Sequence, residues 1–83
     1  MTSDEDLGDR FLALVSEILQ VPANEIKSDL GPRSCGRWTS LVHIELVAAV
    51  ENEYSIRFSP REIRTSVTIG ALRDILAVKG VIV

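Results

Sequence analysis

The chain has 83 residues, a formal charge of −3 and 46% hydrophobic residues, mostly Leu, Ile, Val and Ala. That length is read as one small domain over residues 1–83, and the acidic balance excludes the basic face that nucleic-acid binding needs. Cys35 is the one cysteine, so no intramolecular disulfide forms. A single His and the lack of Cys/His ligand spacing exclude a metal site. No apolar run approaches the ~20 residues that cross a bilayer. No charged segment followed by an apolar run opens the chain, so a secretory signal is not expected and a reducing, cytoplasmic location is.

Ser3 is placed to cap a first helix. Asp4, Glu5 and Asp6 follow it, where negative charge complements the partial positive charge of a helix N-terminus. Leu7, Phe11, Leu14, Val15 and Ile18 then recur at three- and four-residue steps, flanked by Leu12 and Leu19. The spacing predicts an amphipathic helix over residues 4–19, ending before Pro22. Pro22, Ala23 and Asn24 predict a turn, with Val21 and Ile26 tucked onto the core. Residues 27–38 form the longest irregular segment, punctuated by Gly31, Pro32 and Gly36 and anchored by Leu30. Lys27, Arg33 and Arg37 make it a local basic patch, and a loop this long in a small domain points to function.

A second helix is predicted from Ser40 to Glu53 or Tyr54. Ile44, Val47, Val50 and Tyr54 are expected to face the core, supported by Leu46. Leu41, Glu45, Ala48 and Asn52 form a separate stripe bordered by Val42 and Ala49. It mixes apolar and acidic residues, as either a docking surface or a solvated face would. Ser55-Ile56-Arg57-Phe58 alternates polar and apolar, which predicts an extended connector with Ile56 and Phe58 inward. Ser59, Pro60 and Glu62 spell a capping box with Pro in the first turn, predicting a short helix over residues 60–64. Thr68 caps a last helix with the apolar set Ile69, Leu72, Ile75 and Leu76, stopped by Lys79-Gly80. Val81 to Val83 is an apolar tail. The fold class is all-α: a small four-helix bundle of three long helices and one short third helix.

The stretch from Arg37 to Val47 is where the loop gives way to the second helix, and Ser40 sits at the junction. Thr39 or Ser40 is suited to cap that helix, since a hydroxyl oxygen can accept from a first-turn N–H. A helix N-terminus also favours an attached phosphate, through its unpaired N–H groups and partial positive charge. Residue geometry alone leaves the cap reading of Ser40 ahead.

The wider pattern resembles the acyl carrier proteins over nearly the whole length. The match runs through the long loop, Ser40-Leu41 opening a helix, Glu45-Leu46-Val47 and the ending Glu51-Asn52-Glu53-Tyr54. It continues through Ser55-Ile56-Arg57-Phe58-Ser59-Pro60 to Thr68-Ile69. The resemblance implies an acyl-carrier-like bundle that is not an enzyme. A phosphopantetheinyl transferase would attach 4′-phosphopantetheine from coenzyme A to Ser40, and the arm's thiol would hold an acyl group as a thioester. Acyl-loading and acyl-transfer enzymes would be its partners, contacting Leu41, Val42, Glu45, Ala48, Glu51 and Asn52, and the carrier would act as a monomer. Trp38, His43 and the run Ile56 to Pro60 have the flavour of free-standing carriers from polyketide and related antibiotic pathways. The Gly-Gly pair usual before the serine of peptidyl carriers is absent. Thr39 stands where the family usually has Asp.

Two other readings compete. Ser40 and His43 lie three residues apart and could form a nucleophile–base pair, but no third group orients the base and no oxyanion site is evident. Cys35 between Arg33 and Arg37 could be a reactive thiol, or a bystander of the loop. A helical adaptor in which Ser40 is only a cap, and an aminoacyl or peptidyl carrier, are the alternatives to the acyl carrier.

Overall fold

Phe11, Val15 and Leu19 recur every four residues and are fully buried, which fixes the face that α1 (Ser3–Leu19) turns inward. The computed structural model describes residues 3–81, with side chains described from Arg10 onward. The readings of Ser3 as a cap and of Leu7 as a core residue, with the tail beyond Val81, lie outside the described side chains. Leu12, Leu14 and Ile18 flank the buried row and pack against it half-buried. A single 3-10 turn, Ala23–Glu25, replaces the simple turn expected after Pro22, and Ile26 drops into the core behind it. The remaining elements are α2 (Ser40–Tyr54), α3 (Pro60–Thr65) and α4 (Ile69–Val78), with no strand among the described residues.

One face was misread. Leu46, Val47 and Val50 of α2 are buried as expected, but Ile44 is 54% exposed. The inward row passes through His43, Leu46, Val47, Val50 and Tyr54 instead, which is also a run of three- and four-residue steps. α2 carries apolar residues on nearly every side, so periodicity gives its rotation no unique answer. The helix ends at Ser55 in the left-handed region (φ 55°), where Ile56 N–H returns to Glu51 O at 3.1 Å. The Glu51 carboxylate accepts from Phe58 N–H at 2.7 Å and turns the connector inward, so that Phe58 is buried.

The loop between α1 and α2 contributes to the core. Cys35 and Trp38 are both buried in the same cluster as the helix residues, and Leu30 packs half-buried against it. The loop also finishes the start of α4. First-turn N–H groups of a helix have no partner within the helix. Here Ile69 N–H donates to Leu30 O at 3.0 Å, Gly70 N–H to Ser28 O at 2.8 Å and Ala71 N–H to the Thr68 hydroxyl at 3.0 Å. The close approach leaves no room at Gly31, where a Cβ would lie 2.4 Å from Val67 O.

At the other end, Glu62 closes the capping box of α3. It receives Ser59 N–H at 2.8 Å, while the Ser59 hydroxyl receives Glu62 N–H at 3.1 Å. The same carboxylate pairs with Lys79 at 2.9 Å, and Lys79 lies 5.7 Å from the Phe58 ring centre. One residue thus ties α3 to the end of α4. The Ser59 N–H bond, and then Lys79, hold the Glu62 carboxyl below the usual glutamate range.

Two outcomes follow from these contacts. Gly31→Ala must push the loop from the Val67-Thr68 segment that leads into α4 and should cost about 1–3 kcal/mol, roughly 4–8 °C in melting temperature per kcal/mol, by thermal denaturation. Because the folded Glu62 carboxyl has the lower pKa, its contribution is present above the unfolded value of 4.5 and is lost as pH falls through the folded one. Glu62→Gln should therefore show a shallower loss of melting temperature than wild type on acidification below pH 4.5. Parallel curves would remove the linkage.

Candidate functional site

The α2 N-terminus separates two hydroxyls that the sequence left interchangeable. Thr39 is the cap: its backbone is extended (φ −84°, ψ 173°) and its Oγ1 accepts from Val42 N–H at 3.2 Å. His43 N–H returns to Thr39 O at 2.8 Å. Ser40 is therefore the first helical residue, exposed, with no capping duty for its hydroxyl.

Behind this turn runs a hydrogen-bond chain. Trp38, only 2% exposed, donates its indole N–H to His43 Nδ1 at 3.0 Å, and the two rings lie 5.9 Å apart at 26°. Nδ1 as acceptor places the ring proton on Nε2, which donates to Ile63 O at 2.7 Å. The fully buried Ser66 hydroxyl donates to the same carbonyl at 3.1 Å. Both nitrogens of His43 are engaged, so it has no acceptor free to serve Ser40 as a base. The chain fastens the end of the loop, the first turn of α2 and α3 together.

Beside Ser40 a groove of about 300 Å³ opens between the start of α2 and α3. Trp38, Ile44, Ile63 and Val67 form its apolar wall, and Ser40 and Arg64 share its lining. Sequence reasoning missed both Ile44 and Arg64 here. Ile44 sits at core spacing and reads as core, and nothing in the α3 sequence signals that Arg64 lines this groove.

A family model described as the phosphopantetheine attachment site matches residues 9–76. The chain belongs to the phosphopantetheine attachment site family. No curated protein matches the sequence closely enough to count as a relative. Domains of this family are non-catalytic carriers, modified covalently by 4′-phosphopantetheine, and they meet a phosphopantetheinyl transferase and acyl-handling enzymes. The acyl-carrier-like helical bundle expected from the sequence is the fold found.

The geometry accommodates the family's group. An exposed serine hydroxyl at the first position of a 15-residue helix offers an attachment point beside first-turn N–H groups, which suit a phosphate. Of the other serines within the match, Ser16, Ser34, Ser59 and Ser66 are each tied by a local hydrogen bond. Ser28 and Ser55 are exposed as well, but Ser28 lies in the loop and Ser55 at the C-terminal end of α2, and neither stands in the first turn of a helix. Of the residues expected to meet partners, Leu41 is 70% exposed, and Glu45, Ala48 and Asn52 are exposed along one side of α2. Val42 is half-buried against the core, and Glu51 is half-buried with its carboxylate bonded to Phe58 N–H. No helix among the described residues is long and apolar enough to cross a membrane, and they hold no His/Cys/Asp/Glu group suited to a metal ion.

The division of labour between the two hydroxyls has a direct consequence. Thr39→Ala should cost ~1 kcal/mol, the usual value of a lost N-cap, whereas Ser40→Ala should stay within ~0.5 kcal/mol of wild type. Chemical denaturation of the two variants measures the difference, and equal losses would return the capping role to Ser40.

Proposed function

We propose that Ser40 is the attachment residue and that this chain, as one carrier domain of 83 residues, holds acyl intermediates as thioesters on the arm. The observation that carries the reading is the exposed, uncommitted Ser40 hydroxyl at the start of α2, within the span matched by the attachment-site family. When bound, 4′-phosphopantetheine supplies the terminal thiol that carries the cargo. This chain's own residues supply the hydroxyl, the positive end of α2 and a rigid turn braced by Trp38 and His43. With His43 bonded at both nitrogens, the base that takes the Ser40 proton comes from the transferase.

A polyketide or related natural-product pathway in the cytoplasm is the setting this reading favours. Arg37-Trp38-Thr39 stands where peptidyl carriers usually have a Gly-Gly pair, and this supports an acyl over an aminoacyl cargo. The docking surface in this reading is the exposed row Leu41, Glu45, Ala48 and Asn52, with Val42 and Glu51 at its border. A carrier must leave each partner quickly, which suits a small contact of this kind with a monomer.

Incubation of the protein with coenzyme A and a broad-specificity transferase should add one arm by intact mass, mapped to Ser40 by peptide fragmentation. Ser40→Ala should abolish the addition while its circular dichroism stays native. An arm that persists in Ser40→Ala, or that maps to Ser34, would overturn the assignment.

A further inference from the structure

We propose that Arg64 is a positioning residue for the arm: its guanidinium holds the phosphodiester formed on Ser40. The inference rests on Ser40 being the attachment residue. Ser40 and Arg64 line the same groove, and no carboxylate lines it with them. Among the described residues the ion pairs are Arg10–Glu53 and Lys79–Glu62, so the Arg64 guanidinium has no carboxylate partner. The other two guanidiniums near this end are placed differently. Arg33 lines a neighbouring cavity together with Asp29. Arg37 donates to Gln20 Oε1 at 3.0 Å and lines a cavity that Glu45 also lines.

The backbone that carries Arg64 is held in place. The carbonyl of the preceding residue, Ile63, receives both His43 Nε2–H and the Ser66 hydroxyl. α3 is thereby tied to α2 one turn from Ser40, so the backbone of Arg64 does not sit on a free loop. A phosphodiester carries one negative charge spread over two non-bridging oxygens. The planar fork of a guanidinium can bond both oxygens at once, which an ammonium cannot. The positive end of α2 adds to the same field.

The charge layout of the whole chain agrees. Four of the twelve acidic residues lie in the first nine positions, and from Arg10 onward nine basic residues stand against eight acidic ones. Thr39 also acquires a reason. A carboxylate at that position would share the groove with Arg64 and compete with the phosphodiester for it. An arm held on the α3 side leaves the row from Leu41 to Asn52 open to partner enzymes.

The test uses holo-protein whose single arm on Ser40 has been confirmed by mass. In wild type the Arg64 Nε resonance should shift between the apo and holo forms, while those of Arg33 and Arg37 stay put. In Arg64→Gln the phosphorus resonance should move toward its value in urea-unfolded holo-protein. High salt should move it the same way, and Arg64→Lys should restore part of the difference. Arg33→Gln and Arg37→Gln should leave it at the wild-type position. Circular dichroism controls for the fold, and Arg64 is exposed enough for Gln to be tolerated. A phosphorus resonance in Arg64→Gln equal to wild type, or equal shifts in all three Gln variants, overturns this inference alone. An arm that fails to form on Ser40 overturns the proposed function, and this inference with it.

Discussion

The hydrogen-bond chain from the Trp38 indole through His43 to the Ile63 carbonyl is the constraint on which the rest of this end of the molecule depends. Breaking its first link would leave the buried Trp38 indole N–H unmet, and an unmet donor away from water costs ~1–3 kcal/mol. The chain also joins three segments that share no other regular structure. Trp38 is the last residue of the loop before the cap, His43 lies in the first turn of α2, and Ile63 lies in α3. Burial of the Trp38 ring supplies the apolar side of the same junction. The result is a rigid helix start with one exposed hydroxyl in front of it.

That rigidity separates support from chemistry. Thr39 satisfies the first turn, His43 braces it, and neither function draws on Ser40. A carrier is handled by several enzymes in turn, and in the proposed reading its attachment residue, Ser40, is presented without being needed for the fold. The engagement of both His43 nitrogens serves the same end, since a histidine held in this way has no nitrogen free to act on Ser40. Ser40 and His43 lie three residues apart on one helix, yet the structure directs one outward and the other into α3.

The loop between α1 and α2 is structural as well as a boundary. Its carbonyls at Ser28 and Leu30 complete the start of α4, and Gly31 lets the two backbones approach. α4 is thereby fixed from a segment some forty residues earlier in the chain. The far end is fixed by Glu62, which caps α3 and pairs with Lys79. The ion pair of Arg10 with Glu53, with Arg10 over the Tyr54 ring, ties α1 to the end of α2 at the surface, where screening keeps such a contact weak.

The four helices, their caps at Ser59 and Thr68 and the capping box with Glu62 were all legible in the residues, because each depends on neighbours within one or two turns. Phe11, Val15 and Leu19, or Ile69, Leu72 and Leu76, announce a buried face by spacing alone. Ser40, the attachment residue proposed here, was singled out through the family pattern rather than through geometry, which could not separate it from Thr39. What the tertiary structure alone decided is the rotation of α2, the burial of Cys35 and Trp38, and the company Ser40 keeps. α2 is apolar on nearly every side, so only packing against α1 and α3 could choose His43 over Ile44 for the inward row. Trp38 and His43 meet Ile63, and Ser40 shares a groove with Arg64, across separate elements of the chain. A contact of that kind leaves no periodic trace in sequence, because the residues that make it are related by the fold and not by a repeat.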